Sequence, residues 1–176
     1  MSKNKFLSTK NLARLALVAA LYAALTLAVP GLSYGPVQLR FSEALVLLCF
    51  YRRDYCVSLT LGCLIANLFS PFGLYDIIFG TLATAAAVIP MYYTKSLWLA
   101  SALPVISNGI IVGFELFLCG EPLWFSMGTV ALGEVVVITC IGCPLFRFVL
   151  ERSKQVMKAI GADKPEYFAK RLAKEG

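Results

Sequence analysis

Residues 122–150 read PLWFSMGTVALGEVVVITCIGCPLFRFVL, with Glu134 the one charged side chain before Arg147. A helix rises about 1.5 Å per residue. The stretch therefore exceeds the ~20 apolar residues that cross a ~30 Å hydrocarbon core. Water is the wrong solvent for such a helix, and the reading of the rest of the chain follows from it. Immediately upstream, Cys119-Gly120-Glu121-Pro122 is a turn, with Pro122 suited to the first helical position. Before that turn another apolar run extends from Ser96 to Leu118, with Pro104 predicting a kink.

Further upstream the pattern repeats in shorter pieces. Leu74 to Tyr92 is apolar, with Pro90 near its end and Lys95 in the loop beyond. Cys56 to Phe69 is apolar and stops at Ser70-Pro71-Phe72-Gly73. Glu43 to Phe50, with Ser42 as its expected N-cap, is closed by Arg52-Arg53-Asp54. That piece is too short to span alone, so it is expected to be tilted and buried or to follow an ordered loop. The first run, Asn11 to Val29, stops at Pro30-Gly31, and a loop with Tyr34-Gly35-Pro36 as its turn follows. Leu12 to Pro30 is longer than the 7–15-residue core of a signal peptide, which predicts a retained helix.

Composition agrees. Of 176 residues, 59% are hydrophobic and 15% charged, against roughly 25% charged in soluble domains. The expected fold class is all-α integral membrane with six transmembrane helices. The expected division is a cytoplasmic N-terminal segment 1–10, a membrane domain 11–150 and a basic cytoplasmic tail 151–176. Residues 165–174 are expected to form a short basic amphipathic helix on the membrane surface.

The basic residues orient this arrangement. With alternating helices, fifteen of the sixteen Lys and Arg fall on one side, and Arg40 stands alone on the other. The positive-inside rule then puts both termini in the cytoplasm. The net charge of +6 thus marks topology and anionic-lipid contact, not nucleic acid.

Polar residues in the apolar runs are the functional candidates, because each is costly in lipid. Asn108 lies about 15 Å below the outer end of its helix, and Glu115 about 5 Å below. Glu134 lies about 18 Å below the outer end of the next helix, near the depth of Asn108. Asn108 and Glu115 are seven apart and share a helix face. Arg40, Glu43, Asn67 and Asp76 fall at the outer ends of their segments. Together these seven residues outline an outward-facing polar pocket. The alternative is mutual satisfaction: Arg40 with Asp76 or Glu43, and Asn67 capping a broken helix. For Glu134 and Asn108 that alternative is weaker, since no cation lies at their depth.

The first helix carries Ala16, Ala20 and Ala24 at four-residue spacing. Small residues so spaced let another backbone approach closely, either within the chain or from a partner. Cys140 and Cys143 form a C-x-x-C in the last helix, where packing competes with a membrane thiol oxidoreductase. The chain has no histidine. It has no phosphate-binding G-x-x-x-x-G-K-[ST] loop, no His/Asp/Glu metal cluster and no serine nucleophile elbow. No cofactor or metal is expected, and the chain is not expected to be an enzyme. Energy for uphill transport must come from a partner or an ion gradient.

Three stretches carry a resemblance. They are Tyr34-Gly-Pro-Val-Gln38-Leu-Arg40-Phe-Ser-Glu43-Ala44, Gly62-Cys-Leu-Ile-Ala-Asn67 and Asp76-Ile-Ile-Phe-Gly80-Thr-Leu-Ala-Thr84. From Leu12 to about Arg147 the chain resembles the QueT family, substrate-capture (S) components of energy-coupling factor (ECF) transporters. The resemblance implies six helices and an outer-half site capped by outer loops. It implies a prokaryotic cytoplasmic membrane. It implies three partners, a membrane coupling protein and two cytoplasmic ATPases. It implies as cargo a queuosine precursor: the cyano- or aminomethyl-deazaguanine base, or queuine. An S component for another vitamin is the alternative cargo reading.

A guanine-like edge presents two adjacent N–H donors that a carboxylate accepts as a pair. Glu115 or Glu134 suits that role, and the other suits a cationic side arm. Asn108 suits a ring carbonyl as donor. These roles come from the residues, not from the family.

Overall fold

The computed structural model describes residues 8–35 and 38–162, and among them it is helical with no strand. The expected tail helix at 165–174 lies outside the described residues. Helix α1 spans Thr9–Ala28, two residues earlier than its apolar run, because Ser8 caps it by accepting from the Asn11 backbone N–H. A single turn, α2, follows at Pro30–Ser33. Helix α3 covers Phe41–Tyr51, first as a tight 3₁₀ winding to Leu47 and then as α-helix. Helix α4 is Tyr55–Asn67 and α5 is Asp76–Met91. Helix α6 is Leu97–Leu118, α7 is Leu123–Leu150 and α8 is Lys154–Ile160.

Three helices, α1, α6 and α7, are long and apolar enough to cross a membrane. The other three apolar helices are shorter. α3 is the shortest of these, and its last six residues, Val46 to Tyr51, are all buried. The expected tilted or buried piece is thus an interior helix. Ser42 does not cap it: the N-cap position belongs to Arg40, and the Ser42 hydroxyl instead meets Thr26 Oγ1 of α1 at 2.6 Å. A hydroxyl buried beside another hydroxyl satisfies both groups, so tertiary pairing outweighs the local cap.

Outward faces are apolar. Leu17, Leu61, Leu82, Leu99, Ile106, Phe125, Leu132 and Phe148 are all exposed, and Trp124 is 81% exposed. Continuous exposure of large hydrophobic side chains on every long helix suits lipid as the surrounding solvent.

Inside, the two ends of the bundle differ. One end holds an apolar core of Leu15, Leu47, Phe50, Tyr51, Tyr55, Leu59, Met91, Leu97, Ile138 and Phe146. These come from the start of α1, the end of α3, the start of α4, the end of α5, the start of α6 and the second half of α7. The polar side chains come from the opposite ends of the same helices. Both termini of the described chain lie at the apolar end. Asn11 Nδ2 donates to Asp54 Oδ2 at 3.3 Å, and the Tyr55 hydroxyl donates to the Ile160 carbonyl at 2.8 Å.

The α6–α7 hairpin sets the depth match that the sequence predicts. A Cβ at Gly113 would lie 2.6 Å from Met127 Cγ and 2.7 Å from its Cα. Only glycine allows these two backbones so close, and that closeness aligns Asn108 with Glu134.

Candidate functional site

All seven candidate residues are buried at the polar end. They form two groups with different hydrogen-bond accounts.

The first group is built on the loop after α2. Leu39 N–H donates to the Leu32 carbonyl at 2.9 Å and folds the loop back. Arg40 is thereby carried inside, 4% exposed. Its Nε donates to the Ser33 carbonyl at 3.0 Å, and its Nη2 reaches Asp76 Oδ1 at 3.3 Å. The guanidinium also lies 5.2 Å from the centroid of the Tyr34 ring. Asp76 takes a second hydrogen bond from Ser70 Oγ. Asn67 Nδ2 donates to the Asp76 backbone carbonyl at 2.8 Å. That contact sits where α5 begins with a widened turn, Asp76–Gly80, whose carbonyls are not used in the ordinary α pattern. Glu43 Oε1 accepts from the Tyr22 hydroxyl, and its Oε2 has no hydrogen-bond partner.

Of the two partners open to Arg40, the fold therefore uses Asp76. Removing one member of a buried ion pair typically costs about 3–5 kcal/mol, because the other is left unpaired. Structural work alone accounts for Arg40 and Asp76, whereas Asn67 Oδ1 has no hydrogen-bond partner.

The second group keeps more unspent capacity, four oxygens against two in the first. Asn108 Nδ2 on α6 donates to Glu134 Oε1 on α7 at 2.6 Å. The equal depths inferred from helical rise are thus a direct contact. Asn108 Oδ1 and Glu134 Oε2 have no hydrogen-bond partner. No donor group reaches either oxygen of Glu115. Its neighbour is the carboxyl group of Asp76, close enough for the two to share one hydrogen bond when either is protonated. One adjustment follows for Asn108: its amide nitrogen is already engaged, so the fully unspent atom is its carbonyl oxygen.

Gln38 belongs here and was not among the seven. It is 4% exposed and its Nε2 has no hydrogen-bond partner. A Cβ at residue 133 would come 2.3 Å from the Gln38 carbonyl oxygen. Gly133 thus lets the loop backbone lie directly on α7, beside Glu134. Tyr22 and Thr26 of α1 hydrogen-bond Glu43 and Ser42 of α3 and tie the two helices together beside the site. The available signal for it was its place two residues before Arg40 in the first of the resembling stretches.

The C-x-x-C does not form a thiol site at an aqueous face. Cys143 is wholly buried in the apolar core, while Cys140 faces outward near Val136 and Ile141. Among the described residues no group of His, Cys, Asp and Glu has the arrangement of a metal site.

Comparison with known proteins agrees with this picture. The sequence model of the QueT transporter family matches residues 12–151. The chain is 33% identical over 152 residues to the queuosine precursor transporter QueT of Lactococcus lactis subsp. cremoris (strain MG1363), covering 76% of this chain and 87% of that protein. No solved structure matches the chain. The family and this relative are transporters, which removes the thiol oxidoreductase reading. A buried polar end, an apolar exterior and a match over most of the length converge: this multi-pass membrane protein is not an enzyme, and it belongs to the QueT transporter family.

Proposed function

We propose that the chain is the substrate-capture component of an ECF-type transporter that imports a queuosine precursor. The observation that carries this reading is the buried set Asn108, Glu115 and Glu134, which retains hydrogen-bond capacity that no neighbour uses. Buried polar atoms are nearly always paired. A polar cargo supplies the missing partners, and the name of the 33% identical relative supplies its class. A deazaguanine base or queuine has the required edge of adjacent N–H donors.

In this reading six helices cross the membrane, with α3 in the interior and α4 and α5 sharing the lipid-facing surface with the longer ones. Segment 1–10 and tail 151–176 are cytoplasmic, and 11–150 is the membrane domain of a prokaryotic cytoplasmic membrane. The polar end faces outward. Arg40, Glu43, Asn67 and Asp76 frame the site, and Asn108, Glu115 and Glu134 touch the cargo. A membrane coupling protein docks on Ala16, Ala20 and Ala24, and two cytoplasmic ATPases supply the energy.

Two tests address the arrangement. The first is topology. Cys119 is exposed in the α6–α7 turn, and Arg53 is exposed in the α3–α4 turn. In a background lacking the other cysteines, an impermeant thiol reagent should label Cys119 in intact cells. It should not label Arg53→Cys until the membrane is opened. The reverse pattern contradicts the orientation. The second is energisation. Cells expressing the chain with a coupling module should accumulate a deazaguanine base, and inactivating the ATPases should abolish accumulation. Uphill accumulation by the chain alone would contradict the division of labour.

A further inference from the structure

Among the described residues, the buried side-chain atoms without a hydrogen-bond partner at the polar end are oxygens, with a single nitrogen among them. The oxygens belong to Glu43, Asn67, Asn108, Glu115 and Glu134, and the nitrogen is Gln38 Nε2. The other amide nitrogens of the set are engaged. Asn67 Nδ2 donates to the Asp76 backbone carbonyl at 2.8 Å, and Asn108 Nδ2 donates to Glu134 Oε1 at 2.6 Å. Gln38 Nε2 is an unspent donor in a neighbourhood of unspent acceptors, and none of them reaches it. A buried N–H without an acceptor is costly, and native structures keep few of them.

The loop does not need this amide for its own seating. Leu39 N–H donates to the Leu32 carbonyl, and the Arg40 guanidinium donates to Ser33 and Asp76. The Gln38 carbonyl oxygen rests on α7 at Gly133. Gln38 and Arg40 are buried, Leu39 between them is less so, and the backbone at Arg40 is extended. Every second side chain of an extended segment points the same way. The Gln38 side chain is therefore directed into the bundle on the side of Arg40, from a backbone that lies on α7 one residue before Glu134. Gln38 and Glu134 thus bring a donor and an acceptor, both unspent, to one stretch of α7.

We propose that Gln38 is a specificity-determining residue that donates to the ring carbonyl of the cargo. The role rests on the deazaguanine class proposed above and adds the contact that this class still lacks. The edge of a guanine-like base presents a carbonyl oxygen beside its N–H donors. A carboxylate accepts the donors. The carbonyl needs a donor next to that carboxylate, and Gln38 brings an amide nitrogen with both N–H groups unspent. Adenine carries an amine in place of the carbonyl, so Gln38 would face a donor and stay unpaired.

The test is titration calorimetry of the purified full-length chain with two bases, deazaguanine and its thioxo analogue. The analogue keeps the N–H donors and carries sulfur, a weak acceptor, in place of the ring carbonyl oxygen. The oxo base should bind at least about tenfold more tightly, the worth of one buried hydrogen bond made instead of lost. Gln38→Leu should weaken the oxo base by about tenfold and the thioxo base by no more than about twofold, so that the preference disappears. Equal or tighter binding of the thioxo base to the unaltered chain overturns the proposal. So does a preference that persists in Gln38→Leu, which traces it to the size of sulfur. Equal loss of both bases in that variant assigns Gln38 to seating the loop and overturns it as well. If no deazaguanine binds the unaltered chain while another vitamin does, the cargo reading fails and the Gln38 role falls with it. That result is distinct from equal binding of the two bases, which ends the Gln38 role alone.

Discussion

Glu134→Gln should weaken deazaguanine binding to the purified chain by about 2–5 kcal/mol, the range for truncating one partner of a buried, charge-assisted contact. The geometry makes the effect specific. Glu134 already accepts from Asn108 at 2.6 Å through one oxygen, and its second oxygen is unpartnered. An amide in its place puts an N–H donor where the cargo also presents donors. Asn108→Leu should cost less, about 1–3 kcal/mol, the penalty for a buried polar group left unmet. The two losses should not add, because the residues touch and share one contact. Calorimetry of the single and double variants measures all three values. Unchanged affinity in both single variants would move the site toward Arg40, Glu43, Asn67 and Asp76.

Ala16→Trp and Ala20→Trp should each abolish assembly with the coupling protein, and uptake with it, while cargo binding by the isolated chain stays nearly intact. The fold separates the two faces of α1. Ala19, Tyr22 and Ala23 are buried, and the Ser58 hydroxyl of α4 donates to the Leu15 carbonyl at 2.5 Å. Ala16, Ala20 and Ala24 are exposed on the other face. Packing within the chain therefore uses the first set and leaves the second free for another helix. An indole ring there holds a partner backbone away and forfeits close contact. Co-purification with the coupling protein and calorimetry of the isolated variant read the two properties separately. Normal transport by both variants would place the partner elsewhere. Loss of cargo binding as well would assign these alanines to the chain's own fold.

Helical spacing made some of this visible in advance and hid the rest. Depth counting from the ends of two apolar runs put Asn108 level with Glu134, and the contact is there, because a continuous helix converts residue number into distance. Charge and position narrowed Arg40 to two partners, and burial of the loop selects Asp76. That loop was the hidden part. Nothing in the periodicity of this stretch says that Gln38 to Arg40 turn into the bundle. Its path depends on glycine at position 133 of a distant helix, where the Gln38 backbone lands. Tyr22 and Thr26 were hidden for a similar reason. In a run of alanines and leucines they read as ordinary membrane residues, and only α3 lying against them turns them into partners of Glu43 and Ser42. The widened turn at Asp76–Gly80 likewise follows from Asn67 reaching across from α4, a contact that no local preference predicts.

The central claim is that the polar end of this bundle reads a deazaguanine base. Titration calorimetry of the purified chain against a panel of purines and vitamins tests it most directly. A dry site built to hydrogen-bond a polar edge rejects analogues that leave its groups unpaired, by about 10⁴–10⁵ in the best cases. The account predicts tight binding of a deazaguanine base, with adenine and with hypoxanthine, which lacks the exocyclic amine, weaker by orders of magnitude. Tight binding of an unrelated vitamin, with no heat from any deazaguanine, would contradict it.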